Sequence, residues 1–151
     1  MSETGVLQAP EAAADAATAN KLSIVVFSGT ADKLIPLGVF AQAGAALGME
    51  VRVFVTGFAL LAFTKEHHDL PFPVEFADMA PGLLEGMAAN RVPSWDAMLR
   101  QAKELGATVH ACSMMSAVMG LTKDDFNDLV DDVVGAATFL ESAAHGETFF
   151  I

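Results

Sequence analysis

The chain has 151 residues, 53% hydrophobic and 18% charged, which fits one domain with a substantial buried core. Nineteen acidic against eight basic side chains give a net charge of −11, which repels phosphate backbones and anionic headgroups and argues against nucleic acid and membrane surface as partners. The single cysteine excludes an internal disulfide, no grouping of thiols and imidazoles offers a metal site, and the cytoplasm is the expected compartment.

Residues 1–20, rich in alanine and acid and without a sustained apolar face, are expected to form a disordered tail, with the folded domain running from 21 to 151. No signal-peptide pattern opens the chain, and its longest uncharged apolar run, Val53–Thr64, is short of the roughly 20 residues that span a bilayer. Leu22–Ser28 is an apolar, β-branched run of the kind buried on both faces of a parallel sheet. A loop and a small-residue helix follow, with Pro36 expected in its first turn and Gly48 as its stop. Val51–Thr56 reads as the second strand and GFALLAFTKE (57–66) as a second helix. The segment from His67 to Pro93 reads as a long irregular insert with one or two short helices. His67, His68 and Asp69 within it read as a solvated helix end.

SWDAMLRQAKELG then signals a helix, with Ser94 as N-cap, Asp96 in the first turn, Leu99, Ala102 and Leu105 along one face, and Gly106 ending it. ATVHA (107–111) is the third strand and CSMMSAVMG a short helix. Thr122–Asp125 has the signals of another helix start, and the acids of Asp124–Asp132 read as a solvated helix face. DVVGA is the fourth strand, ATFLESA a helical turn or two, and ETFFI the fifth strand. Strand and helix alternating in this way predict an α/β fold, a three-layer α/β/α arrangement on a five-stranded, mainly parallel sheet.

In such sheets, ligands and chemistry gather at the carboxyl ends of the strands. Cys112 falls there, at the start of a helix, where unpaired N–H groups and the helix dipole favour a thiolate. The opposing reading is a small buried hydrophobe, the commonest role of a lone intracellular cysteine. His110, two residues upstream on the same strand face, is placed to reach the sulfur or to be a satisfied, half-buried group; Ser113 and Ser116 lie nearby. Ser28, Gly29, Thr30 and Asp32 offer a polar turn at a helix entrance, short of any full phosphate-binding pattern. The methionines, at helical spacing, read as core or interface filler. No hydrolase elbow occurs.

KLSIVVFSGTADKLIPLGVFAQAGAALGMEVRVFVTGFALLAF, VPSWDAMLRQAKELGATVHACSMMSAVMGL and VVGAATFLESA resemble the DsrE/DsrF-like sulfur-relay family, in the branch often labelled peroxiredoxin-like, over about 21–151. The most specific piece is ACSMMSAVMG, matching the family's cysteine-containing segment. The resemblance implies homo-oligomerisation and a sulfur-carrying cysteine, here Cys112; beside it, His110, Ser113, Met114 and Met115 are the candidate supporting residues, and Met114, Met115 and Val118 are expected to form an apolar wall that limits loss of the loaded sulfur to water. Carrying one sulfur atom on a single thiolate requires no cofactor, and no metal is expected. A peroxidase resolved by a second internal thiol is excluded by the single cysteine. The implied partner is a small basic sulfur-carrier protein, TusA-like or a rhodanese. The apolar insert, with Phe72, Phe76, Met79, Leu83, Leu84 and Met87, is the expected contact between copies, in keeping with a mean hydropathy of +0.44. The alternative reading is a small-ligand-binding or assembly module of the same fold, using Ser28–Asp32 while Cys112 merely packs.

Overall fold

The computed structural model describes residues 20–66 and 69–151. The expected tail and the paired histidines His67 and His68 therefore lie outside the described residues, Asn20 apart.

Five strands form one sheet: β1 Lys21–Val26, β2 Glu50–Val55, β3 Thr108–Cys112, β4 Asp132–Val134 and β5 Glu147–Phe150. All neighbours pair in parallel, in the order β4-β3-β2-β1-β5. The helices are α1 Ala31–Ala46, α2 Ala80–Ala89, α3 Trp95–Glu104, α4 Ser113–Val118 and α5 Ala136–Ala143. The α/β/α reading is the observed fold, and the apolar β-branched runs do form its strands.

Side chains along a strand alternate between faces, and the two faces here differ. Ile24, Val26, Val53, Val55, Val109 and Ala111 face α1 and α3 and form the larger core with Leu34, Leu37, Ala41, Leu99 and Ala102. The opposite residues Val25, Phe54 and Cys112 form a smaller cluster with Phe139 and Ala143 of α5. Because β4 and β5 are the two sheet edges, α5 carries the chain across this second face. On the first face α1 and α3 approach closely at Gly38, where a Cβ would lie 2.8 Å from the Trp95 carbonyl oxygen.

Several local expectations are corrected. Residues 57–63 form a 3₁₀ helix rather than an α-helix. Gly57, at φ +54°, turns the chain where a Cβ would meet the Phe27 carbonyl oxygen at 2.9 Å. Thr64 is held in a bridge to Phe126, so the short segment takes the tighter winding. Pro36 lies in the second turn of α1, because the helix already starts at Ala31; Gly48, at φ +76°, does follow its end. In α3 the buried residues are Met98, Leu99 and Ala102, whereas Leu105 is the C-cap and 60% exposed. Ser94 is the N-cap residue but makes no side-chain cap bond.

The acidic run 124–132 is not a helix face. A capping box, with the Thr122 N–H donating to Asp125 at 2.7 Å, starts only a 3₁₀ turn over Lys123–Asp125. Phe126, Leu129 and Val130 then enter the core. The acids between them face α3, where Asp128 pairs with Arg100 and Asp131 with Lys103.

Candidate functional site

Cys112 is the last residue of β3 and the N-cap of α4, one position before the helix rather than within it. Its side chain is only 4% exposed, in the cluster of Val25, Phe54, Phe139 and Ala143, with Met115 and Val134 packed against it. The Phe54 and Phe139 rings stack at 4.8 Å within that cluster. Strand geometry therefore puts the thiol at the carboxyl edge of the sheet, and α5 seals it from above.

His110 shares the face of Cys112 and is in register with Phe54 on one side and Asp132 on the other. Its Nδ1 is buried without a hydrogen-bond partner, so that nitrogen does not reach the sulfur. Burial holds the imidazole below its ordinary value; Asp131 and Asp132 pull upward and Arg52 and Lys103 downward without reversing it. Burial thus favours the uncharged ring.

The supporting residues divide. Met115 touches both cores, whereas Met114 and Val118 point outward at 64% and 73% exposure and form no wall around the sulfur. Ser113 is exposed beside Gly135, at the entrance to α5. Ser116 is buried, its hydroxyl unpartnered.

The turn after β1 is a separate feature. The Ser28 and Thr30 hydroxyls are 3.2 Å apart, and Thr30 donates to Asp32. Burial opposes ionisation of Asp32, but hydrogen bonds from Thr30 and Lys33 outweigh it and hold the carboxyl below its ordinary value. The Ala31 N–H donates to the Pro71 carbonyl at 2.7 Å, and those of Lys33 and Leu34 to Thr30. Ser28, Gly29, Thr30 and Asp32 thus offer side-chain oxygens more than free amides. They follow β1, two strands and about 10 Å from β3 at the usual strand spacing, and they lead to the α1 face. They share an edge with Cys112 but not a site.

Phe139 and Ala143 were not legible as cover for the thiol. The apolar spacing in ATFLESA marked a helix, but only the strand order reveals that it crosses above β3. Among the described residues no cluster of three or more His, Cys, Asp or Glu is placed to hold a metal ion, and no helix is long and apolar enough to cross a membrane.

The fold and this edge define a class: a parallel α/β/α protein with one thiol at the carboxyl end of an inner strand, enclosed by the crossover helix. The chain belongs to the DsrE/DsrF/DrsH-like family, which matches residues 68–151. It is 26% identical to the uncharacterized protein YrkE of Bacillus subtilis over 152 residues, covering 83% of this chain and 92% of that one. It is likewise 26% identical to the sulfur carrier protein DsrE2 of Allochromatium vinosum over 151 residues, covering 84% and 94%. Among solved structures, the ychN protein from E. coli superposes with a TM-score of 0.62 at 12% identity, covering 87% of this chain and 99% of its own.

Proposed function

We propose that this protein is a sulfur carrier that holds sulfane sulfur on Cys112 and passes it to a partner thiol. The observation that carries the reading is the position of the only cysteine at the carboxyl end of β3, in a chain related to a protein named as a sulfur carrier. The Cys112 thiolate attacks the outer sulfur of a persulfide donor, the donor S–S bond breaks, and the donor thiolate leaves. The acceptor thiolate then attacks the same sulfur and releases Cys112 as thiolate. One sulfur atom moves, and no external oxidant or reductant is consumed. Of the flanking residues His110, Ser113, Met114 and Met115, Met115 shares the buried cluster with Cys112.

Intact mass after incubation with polysulfide, thiosulfate or tetrathionate tests the reading. A gain of one sulfur atom, or of a larger thiosulfonate adduct, is expected; reductant removes it and Cys112→Ser abolishes it. A gain that survives Cys112→Ser, or a wild type that never loads, overturns it. The second reading is a ligand-binding or assembly module with a structural cysteine, favoured by the 4% exposure of Cys112. It predicts no loading at all.

The remaining parts of the proposal concern assembly. No residue of 74–89 is fully buried within the chain, and Val74, Phe76, Met79 and Leu83 are 91%, 56%, 66% and 45% exposed. They support a contact with a second copy, to be read as an oligomer mass by light scattering. The partner thiol belongs to a small cytoplasmic carrier, TusA-like or a rhodanese, drawn by the −11 charge through its own basic residues. Its transfer rate falls with added salt; a salt-independent rate removes the charge argument.

A further inference from the structure

A cavity of about 510 Å³ opens between the turn after the Gly57–Phe63 helix, α2, the first turn of α3 and the segment leading to β4. That volume lies in the range of small-ligand sites, and the position near the carboxyl edge is where parallel sheets bind ligands. Its apolar surface comes from Ala62 and Leu129 of the larger core, with Leu70, Leu84 and Trp95 beside them. Since Cys112 belongs to the smaller cluster on the other face, this cavity is separate from the thiol.

The polar lining includes Lys65, Arg100, Asp69, Asp96 and Ser94. Arg100 is engaged by Asp128 and also feels the Asp96 charge, and Lys65 lies near Asp125, but among the described residues Lys65, Asp69 and Asp96 enter no direct ion pair. The Ser94 hydroxyl is not spent on capping α3. The Lys65 backbone is fixed by its N–H bond to the Asp125 carbonyl at 2.9 Å.

These charges discriminate among ligand classes. An anion faces two local carboxylates and the −11 field of the chain. A simple cation faces Lys65 and Arg100. A ligand with a carboxylate and an ammonium joined by an apolar body matches both signs and the apolar floor. A single amino acid leaves most of the volume unfilled.

We propose that this cavity binds a zwitterionic peptide of two or three residues with apolar side chains. Its carboxylate is taken by Lys65, its ammonium by Asp96, and its side chains lie against Trp95 and Leu70.

Trp95 is the only tryptophan of the chain, so its fluorescence reads occupancy directly. The full chain is titrated with leucyl-methionine and with the N-acetylated and C-amidated forms of the same dipeptide. A saturable change is expected with the free dipeptide. Each capped form, and each of the variants Lys65→Ala and Asp96→Asn, is expected to bind at least tenfold more weakly, because each leaves one charge unpaired. Cys112→Ser is expected to bind as wild type, which separates this site from sulfur loading. No saturable change, a loss smaller than tenfold in any of those four cases, or a loss of binding in Cys112→Ser overturns the assignment.

Discussion

Replacing Phe139 by alanine is expected to uncover Cys112 without dismantling the sheet. Phe139 is 3% exposed and stacks on Phe54 above the thiol. Only Ala143 is buried with it from α5, and the remaining ties include Lys21 donating to the Ser142 and Ala144 carbonyls at 3.3 and 3.4 Å. A buried Phe→Ala change costs about 3–5 kcal/mol. Most of that cost falls on the local closure of α5, since the larger core lies on the other face of the sheet. At about 1.4 kcal/mol per decade, a loss of about 3 kcal/mol raises the open population roughly a hundredfold. Alkylation by N-ethylmaleimide follows that population when reclosure is fast, and so is expected to accelerate by about the same factor. Leu140→Ala, on the 59% exposed side of the same helix, is expected to stay within about twofold of wild type. Amide exchange in β1 to β3 is expected to change far less than the thiol rate. A wild-type alkylation rate in Phe139→Ala, or equal acceleration of thiol and sheet amides, refutes the reasoning.

Three further outcomes are expected. Gly38→Ala, whose Cβ would meet the Trp95 carbonyl oxygen at 2.8 Å, is expected to lower stability by about 1–3 kcal/mol, read as a fall in Tm. Burial depresses the His110 pKa, so as pH falls through the ordinary value near 6.5 the unfolded chain takes up a proton the folded chain resists; stability present above that pH is lost toward the lower folded value, and His110→Asn is expected to flatten this part of the urea-midpoint profile. Asp131 accepts the Val109 N–H at 2.8 Å as well as pairing with Lys103, so Asp131→Ala is expected to cost about 1–2 kcal/mol, whereas Asp128→Ala, which loses only an exposed pair with Arg100, is expected to cost under about 1 kcal/mol by denaturant titration.

The strands were legible because buried parallel strands leave apolar, β-branched runs bounded by turns, as LSIVVFS and VRVFVT do. Their order was not legible, since nothing in ETFFI states that it pairs with β1 rather than β4. That omission hid the enclosure of Cys112, which depends on α5 crossing the sheet. Pro36 was misplaced because its preference for a first turn gave way to a helix already begun at Ala31. The acids of 124–132 follow a helix-start signal at Thr122–Asp125, but Asp and Asn are poor helix formers, Phe126, Leu129 and Val130 are drawn into the core and Asp128 and Asp131 into pairs with α3, so the signal starts only a single turn.

The pairing of β5 with β1 orders events in time. Lys21 grips carbonyls of the α5 end from 121 residues earlier in the chain, at Ser142. During synthesis β1, β2 and β3, with the helices of the larger core, all emerge before α5 and β5 exist. The thiol therefore spends that interval uncovered, and the step that completes the sheet is the same one that shelters the sulfur. Contacts of such long range close slowly, so the nascent or refolding chain presents Cys112 to oxidants and to other thiols for longer than its native enclosure implies.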